Sequence, residues 1–334
     1  MEEGNNIMSL LRRIIASITM LALTLSPTLV GKVGAQAGGS GLNLSPTRHE
    51  LKVAPGGKDV IKISLTNVSG QNVIAKVEIN DFTSDGDTGQ PKIDTVSTDS
   101  AASIRRFLKN VTDVELKKDE KKDITINVEV PTDAVAGAYY GVVRYSAIPV
   151  DRDEEQKPGE VALNASLGSI VLLEIPGNIT EQIQIKSMKV YTGDKNKPTS
   201  GTFFTKLPNQ VGVTIKNSGN GFSKPFGKIN ITSNLTNKTT YSYELNSATP
   251  KANILPNSER TFKDEIKGVK WPGRYTITAS LSSGTSGQLV NYSVSFWYLP
   301  IWFIVSLAAV LLALVIGGVM LYRRLFKGQV RRRK

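Results

Sequence analysis

Short runs of alternating or β-branched residues follow one another between Ala37 and Phe296 of this 334-residue chain. Almost none of them shows the 3.6-residue period of an amphipathic helix, and turn-forming sequences separate them at intervals of roughly 8–12 residues, a spacing typical of β-sandwiches. The runs are His49–Val53, Val60–Asn67, Val73–Phe82, Lys122–Val130, Tyr139–Ile148, Leu167–Ile175, Ile183–Tyr191, Val211–Lys216, Gly227–Ile231, Tyr241–Leu245 and Arg274–Leu281. The chain is therefore predicted to be all-β between its two ends.

Two pairs of runs suggest hairpins. Val60–Asn67 alternates apolar and polar residues and is followed by a turn and by Val73–Ile79, so we predict a hairpin with one buried face. Tyr139–Ile148 and Leu167–Ile175 flank a charged loop and are predicted to form the last hairpin of a first domain.

The domain boundary is predicted near Pro176-Gly177, where this second hairpin ends. The first β-sandwich domain then covers residues 38–177 and the second covers residues 178–295. Hardly any linker separates the second domain from the apolar segment that follows, so we expect that domain to lie close to a membrane.

The segment Ile301–Leu321 is apolar almost throughout and lacks charge. Its length of about 31 Å as a helix matches a hydrocarbon core of about 30 Å. We therefore predict a transmembrane helix over residues 296–322, with Phe296, Trp297, Tyr298 and Trp302 as its outer aromatic belt. The basic tail at 323–334 holds seven of the positive charges, which predicts a cytoplasmic C-terminus.

The N-terminal residues 1–37 have the order of a secretory signal peptide. Arg12 and Arg13 precede an apolar run from Ile14 to about Val30, and Ala35-Gln36-Ala37 provides a cleavage site. Both ends thus predict a single-pass protein of the cell membrane with extracellular N-terminal domains. Whether translation starts at Met1 or at Met8 stays open.

The net charge of +12 does not indicate a nucleic-acid partner, because most of the excess lies in the C-terminal tail. The chain has no cysteine, which excludes disulfides, thiol nucleophiles and zinc–thiolate sites. Its single histidine, His49, would have to carry any histidine chemistry alone, and we interpret it as an ordinary residue of an edge strand.

The strongest candidate for a metal site is the loop from Asp81 to Gly89. Asp81, Thr83, Asp85 and Gly86 fit positions 1, 3, 5 and 6 of a calcium loop, but position 12 is Lys92 where a bidentate glutamate is needed. We predict a turn and no metal or other cofactor, and leave open whether Asp81–Asp87 holds calcium loosely.

A pair of carboxylates for glycoside hydrolysis is the only catalytic arrangement that the sequence leaves open, because separation in space decides it. The richest acidic stretch, with Asp113, Glu115, Asp119, Glu120 and Asp123, alternates with lysines and is interpreted as a solvated edge. We therefore predict that the protein is not an enzyme and name no catalytic, cofactor-binding or metal-binding residue.

Two groups of side chains could stack on a sugar or a peptide. They are Tyr139, Tyr140, Arg144 and Tyr145, and Arg105, Arg106 and Phe107. The alternative for each group is a strand core that alternates with exposed polar positions, and it is the more favoured of the two.

The order of several short motifs resembles the Gram-positive surface proteins that interact with WxL proteins. In the first predicted domain they are Pro55-Gly56, Thr66-Asn67, Val130–Ala134 and Gly137–Gly141; in the second they are Asn217–Asn220, Ile254–Arg260 and Gly273–Thr276. The resemblance implies two immunoglobulin-like domains, the first associated with peptidoglycan and the second with the WxL partner. Asn217–Asn220 also resembles bacterial domains of related fold with unassigned ligands.

These observations predict an all-β chain of two immunoglobulin-like β-sandwich domains followed by one C-terminal transmembrane helix. The predicted function is non-catalytic: the protein tethers cell-wall polymer (peptidoglycan), another surface protein, or both to the membrane. The alternative is a membrane-bound hydrolase of envelope polysaccharide with paired carboxylates. The oligomeric state is not indicated.

Overall fold

Residues 42–175 form the first of two β-sandwiches in the computed structural model of the chain. The structure describes residues 41–96, 100–150, 166–194, 197–284 and 289–326, with only the backbone for 325 and 326. The strands are β1 (Leu42–Ser45), β2 (Arg48–Lys52), β3 (Lys58–Asn67), β4 (Val73–Asn80), β5 (Phe82–Ser84), β6 (Pro91–Ile93), β7 (Leu108–Lys109), β8 (Val114–Leu116), β9 (Lys121–Glu129), β10 (Gly137–Pro149) and β11 (Ser166–Ile175), with a 3-10 turn at Ile104–Phe107.

Two sheets enclose the core of this sandwich. Their strand orders are β1-β3-β9-β7 and β2-β11-β10-β4-β8, and β5 and β6 form a separate small hairpin. Ile61, Ile63 and Leu65 alternate along β3 and are fully buried in one cluster with Tyr145 and Leu173 of the opposite sheet. The alternation read from the sequence thus reports the inner face of a sheet.

The predicted hairpin of Val60–Asn67 with Val73–Ile79 is wrong. β3 pairs with β1 and β9, whereas β4 pairs with β10 and β8, so the turn after Asn67 carries the chain from one sheet to the other. Ile63 and Val73 belong to the same buried cluster. The apolar faces of the two strands therefore meet across the core, an arrangement that alternation alone cannot distinguish from a hairpin.

Residues 183–298 form the second sandwich, with sheet orders β13-β12-β15-β18 and β14-β20-β19-β16-β17. Its core is a separate cluster that includes Val213 and Ile215 of one sheet and Ile229 and Ile277 of the other. The strands are β12 (Ile183–Thr192), β13 (Thr199–Gly201), β14 (Phe203–Phe204), β15 (Gln210–Asn217), β16 (Phe226–Ser233), β17 (Lys238–Leu245), β18 (Glu259–Glu265), β19 (Gly273–Ser282) and β20 (Val290–Tyr298).

The second sandwich repeats the topology of the first. In the five-stranded sheet of each, a short strand runs parallel to the last strand of that sandwich: β2 to β11, and β14 to β20. The order β2-β11-β10-β4-β8 therefore corresponds strand by strand to β14-β20-β19-β16-β17. Antiparallel two-sheet architecture with this repeat confirms the predicted pair of immunoglobulin-like sandwiches.

Two residues, Leu299 and Pro300, separate β20 from the C-terminal helix α1 (Ile301–Phe326). It is long and apolar enough to cross a membrane, and none of its residues up to Arg324 is buried. Residues 296–298 belong to β20, so the aromatic-belt prediction is wrong for Phe296: its ring is 1% exposed and stacks on Tyr275 with centroids 5.6 Å apart.

The structure also bears on the second predicted hairpin, on His49 and on the domain boundary. β10 pairs with β11, which confirms the second hairpin, and His49 lies in β2 at the edge of its sheet as interpreted. The boundary predicted near Pro176-Gly177 falls between β11 and β12 and stays a prediction. The signal peptide at 1–37 and most of the basic tail lie outside the described residues.

Candidate binding surface at the junction of the sandwiches

Buried asparagines end corresponding strands in the two sandwiches. The side-chain amide of Asn217, at the end of β15, donates to the carbonyls of Gly221, Ile254 and Leu255, and its Oδ1 accepts the Gly219 N–H. Asn67, at the end of β3, makes the same kind of contacts with Gln71, Leu116, Lys117 and Ser69. Two of the short motifs noted in the sequence, Asn217–Asn220 and Ile254–Arg260, are thus joined by one side chain.

Tyrosines at corresponding corners form a second repeated device. The Tyr139 hydroxyl donates to the carbonyl of Val135, 2.9 Å away, and the Tyr275 hydroxyl donates to that of Trp271, 2.8 Å away. Each tyrosine stands two residues after a strand's first glycine and bonds four residues upstream, as in the tyrosine corner of immunoglobulin-like domains. The motifs that contain these two tyrosines therefore have a structural role.

A third apolar cluster lies between the sandwiches. Phe82, Leu172 and Leu255 are buried in it, and Tyr140, Ile170 and Phe222 pack against them. The Tyr140 ring lies between Phe82 and Phe222, with centroid distances of 5.1 and 6.2 Å. Tyr140, Ile170 and Leu172 point outward from the first sandwich, so its outer face is covered by the second.

Hydrogen bonds reinforce this junction. The Ala138 N–H donates to the Asn220 carbonyl (2.9 Å), and the side-chain amide of Asn220 donates to the Asn178 carbonyl (3.0 Å) in the connection between the sandwiches. On the other side, the Thr261 N–H donates to the Asp87 carbonyl (2.9 Å). A Cβ at Gly219 would collide with the carbonyl of Thr180, so this close approach requires glycine.

Ion pairs border the apolar cluster. Lys224 Nζ lies 2.5 Å from Glu50 Oε2, and Arg48 contacts the other oxygen of Glu50. Burial alone would raise the pKa of Glu50, but the hydrogen bond and charge of Lys224 together with Arg48 outweigh it and hold that pKa below its usual value. Lys263 and Asp87 form a second pair across the junction at 2.9 Å.

An open cavity of about 350 Å³ lies beside these pairs and is called the junction cleft here. Its apolar lining residues are Leu51, Leu172 and Phe222. Charged side chains of both signs line it: Glu50, Lys52, Glu174, Glu181 and Lys224. The cleft therefore offers apolar contacts together with charges of both signs.

Arg260 closes the opposite side of the junction. It donates to the Asn253 carbonyl at 3.2 Å, and its guanidinium lies 5.4 Å from the centre of the Phe262 ring. Burial, and secondly the like charge of Arg48, lower the pKa of Arg260. A Cβ at Gly89 would come within 2.6 Å of the Arg260 side chain, so the β5–β6 turn packs directly on this arginine.

The aromatic candidates from the sequence divide between three places. Tyr145 is fully buried in the core and Tyr140 lies in the junction. Arg144 pairs with Glu78, and Arg105 donates to the Ile79 carbonyl. Arg106, Phe107 and Tyr139 do come together, with 5.9 Å from the guanidinium to the Tyr139 ring and 4.8 Å between the two rings, but Phe107 itself is buried.

The acidic candidates are engaged in local bonds. Asp81 accepts from the Ser103 hydroxyl at 2.6 Å, Asp85 accepts the Gly89 N–H at 2.6 Å, and Asp87 pairs with Lys263. A hydrogen bond from Thr88, and then bonds from backbone N–H groups, hold the pKa of Asp85 below its usual value. Because the three aspartates bond to different partners, a turn is favoured over a calcium site. Asp113, Glu115, Asp119 and Asp123 are exposed, as a solvated edge requires.

Sequence reasoning missed the junction, although one signal was present. Leu167–Ile175 contains the continuous apolar run Ile170–Leu173, whereas a strand with one solvated face should alternate. A continuous run indicates burial on both faces. Ile170 and Leu172 are the residues that the second sandwich covers.

Comparison with known proteins gives structural likeness only. No protein-family model and no curated protein matches the chain. Solved structures that resemble it include a chaperone–tip adhesin complex of CFA/I fimbriae biogenesis (10% identity, 78% of this chain and 99% of that one, TM-score 0.37), the class 5 fimbriae chaperone CfaA (12%, 78% and 100%, 0.35) and the Salmonella enterica SafA pilin with the SafB chaperone (10%, 76% and 96%, 0.31). At these values no property of those proteins is transferred to this chain.

Proposed function

We propose that this protein is a non-catalytic, membrane-anchored binding protein of the cell surface. The observation that carries the proposal is the helix α1. It follows the second sandwich in sequence, and its apolar side chains are exposed. Burying so long an apolar surface in a bilayer removes its contact with water. The sandwiches then lie on the extracellular side and the C-terminus in the cytoplasm.

The junction cleft is the proposed binding surface. It combines residues of both sandwiches, and the apolar cluster with its ion pairs holds the two walls of the cleft together. A ligand with apolar groups and charges of both signs, such as a peptide-bearing wall polymer or a surface protein, would match this lining. Contacts of both sandwiches on one chain would add through effective concentration.

The proposed ligands follow the resemblance to the WxL-interacting surface proteins. Peptidoglycan is proposed for the first sandwich and a WxL protein for the second. The motifs that carry the resemblance lie at strand ends and at the junction, where Ala138 meets Asn220.

A hydrolase is disfavoured by the charge environment of the cleft. General acid catalysis by a carboxyl group requires a raised pKa, so that the group is protonated near neutral pH. The pKa of Glu50 is instead lowered by Lys224 and Arg48. We therefore propose that Glu50 takes part in binding and is not a general acid.

The test uses the full chain, immobilised in detergent micelles, with isolated cell-wall sacculi and with solubilised surface proteins. We expect the wild-type chain to retain wall material, a WxL protein, or both. Lys52→Glu should reduce retention several-fold, because Lys52 lines the cleft and pairs with Glu174 at 2.9 Å. Retention of neither material by the wild-type chain would refute the binding function.

Lys58→Glu is the matched control, because Lys58 also forms an exposed 2.9 Å pair, with Glu129, but lies on β3 outside the cleft. It should leave retention unchanged. Equal retention by both variants and the wild-type chain would show that the cleft is not the binding surface. Release of soluble sugar from the sacculi by the wild-type chain, lost in Glu50→Gln, would favour the hydrolase instead.

A further inference from the structure

Three loops of the second sandwich lie at the end from which the helix leaves. Tyr298, the last residue of β20, pairs with Gly273, the first residue of β19, so the loop 266–272 lies at this end. The β16–β17 loop at 234–237 joins it, since the Asn234 N–H donates to the Arg274 carbonyl at 3.0 Å. The loop 205–209 follows β14, whose Phe204 carbonyl accepts the Leu299 N–H at 2.9 Å.

The tips of these loops carry large apolar side chains that are exposed. Leu235 is 80% exposed, Trp271 is 71% exposed and Leu207 is 51% exposed. A cavity of about 450 Å³ connects this surface to the helix, because Leu235 and Pro272 line it together with Trp297, Leu299 and Phe303. The apolar surface therefore extends from Leu235 and Pro272 to the first turn of α1, and a patch of this kind marks an interaction site.

The same loops are positively charged. Loops 205–209 and 266–272, together with Lys238 at the start of β17, contain four lysines and no Asp or Glu: Lys206, Lys238, Lys267 and Lys270. All four are exposed. Asp264 and Glu265, at the end of β18, directly precede loop 266–272. Exposed tryptophan and leucine beside lysine is the composition that suits the headgroup region of an anionic bilayer.

The first sandwich supplies an internal comparison. Its loop 131–136 corresponds to 266–272, with Tyr139 bonded to Val135 as Tyr275 is to Trp271. Val135 is 72% exposed, so the two positions protrude equally. Yet loop 131–136 contains Asp133 and no lysine. The aromatic and cationic chemistry is thus found at the sandwich end next to the helix and not at its topological counterpart.

The position of Trp271 is fixed by the core. Ile266 and Val269 of the same loop are buried, and the Tyr275 hydroxyl binds the Trp271 carbonyl. The backbone that carries Trp271 is therefore held in place before binding, which lowers the entropic cost of binding.

We propose that loops 205–209, 234–238 and 266–272 form a lipid-binding face that seats the second sandwich in the interface of an anionic phospholipid bilayer. The proposal rests on the membrane anchoring by α1 proposed above. Trp271 and Leu235 enter the boundary between headgroups and acyl chains, while the four lysines contact lipid phosphates. The second sandwich is thereby held against the membrane instead of tilting freely about the connection of Leu299 and Pro300.

The test uses the absence of cysteine in the chain. Full-length single-cysteine variants Leu235→Cys and Trp271→Cys are labelled with a nitroxide and reconstituted into phosphatidylglycerol-containing bilayers. Collisions with oxygen and with a water-soluble nickel chelate are measured by electron paramagnetic resonance. Both probes should be protected several-fold from nickel relative to Val135→Cys, the matched control. In purely zwitterionic bilayers, or with Lys267→Gln and Lys270→Gln, the protection should decrease.

A probe at Leu312→Cys in the middle of α1 separates the two proposals. If it is protected from nickel while the probes at 235 and 271 collide with nickel as often as the probe at 135, the anchor holds and the lipid-binding face is refuted. If the probe at 312 is itself accessible to nickel, the membrane anchor is refuted. Protection at 235 and 271 that is independent of lipid charge would refute the role of the lysines.

Discussion

At the scale of single residues, two asparagines and two tyrosines organise the sandwiches. Asn67 and Asn217 each bond several backbone groups that would otherwise be buried without partners. Tyr139 and Tyr275 fix the corners that precede β10 and β19. All four side chains bond within their own sandwich, so the motifs that contain them indicate the fold more directly than a ligand.

Asn217→Ala should lower the free energy of unfolding of the second sandwich by about 2–4 kcal/mol, since it leaves buried carbonyls and the Gly219 N–H without their partner. Denaturant unfolding of the full chain in detergent, followed by tryptophan fluorescence, measures this selectively because Trp271, Trp297 and Trp302 all lie in the second sandwich or the helix. Asn291→Ala, at an exposed position of β20, is the control and should change it by less than about 0.5 kcal/mol. Equal effects would contradict the structural role.

At the scale of elements, the run of apolar residues in α1 and the alternating strands differ in what surrounds them. The strands bury one face against another sheet, whereas α1 leaves its apolar side chains uncovered over its whole described length to Arg324. Phe296 shows how sharp the change is: it is a core residue of β20, and the helix begins only at Ile301.

Leu312→Arg should impair membrane insertion, because a charged side chain near the centre of a spanning helix costs about 2.5–3.5 kcal/mol. The measurement is the fraction of full chain that resists alkaline carbonate extraction from membranes. Leu289→Arg makes the same change at an exposed position outside the helix and should leave this fraction unchanged. An unchanged fraction for Leu312→Arg would argue against α1 as the anchor.

At the scale of the whole molecule, the junction joins parts of the chain that are far apart in sequence. Phe82 and Leu172 meet Leu255, and Glu50 meets Lys224. The apolar contacts have no pH dependence, but the ion pair does. The pKa of Glu50 is lower in the folded chain than its unfolded-state value near 4.5. The ion pair therefore contributes fully to the free energy of unfolding above that value, and this contribution is lost as the pH falls through the lower folded-state pKa.

A double-mutant cycle of Glu50→Gln and Lys224→Met should therefore give a coupling of up to about 1 kcal/mol at neutral pH, in the range of exposed ion pairs. The coupling should disappear at a pH well below the folded-state pKa of Glu50, and it should weaken with salt. The readout is the unfolding transition of the second sandwich. A coupling that persists in acid would mean that the two residues interact through packing and not through charge.

The sequence by itself determined the all-β class, most of the longer strands, the long apolar C-terminal helix and the absence of thiol chemistry. Period-two alternation and an uninterrupted apolar run are local signals, and each reports its own burial directly. The sequence does not predict β18 and β20. Strand β18 is polar at most positions, and part of β20 is interpreted as an aromatic belt.

Only the tertiary structure decided which sheet each strand joins and where the two sandwiches touch. An alternating strand has an apolar face, but its sequence does not identify its partner. Alternation therefore predicts one hairpin from β3 and β4, although the two strands face each other across a core. The junction cleft and the lipid-binding face depend on such long-range contacts: Glu50 and Lys224, or Leu235 and Trp297, become neighbours only after the chain has folded, because loop positions follow no periodic pattern in the sequence.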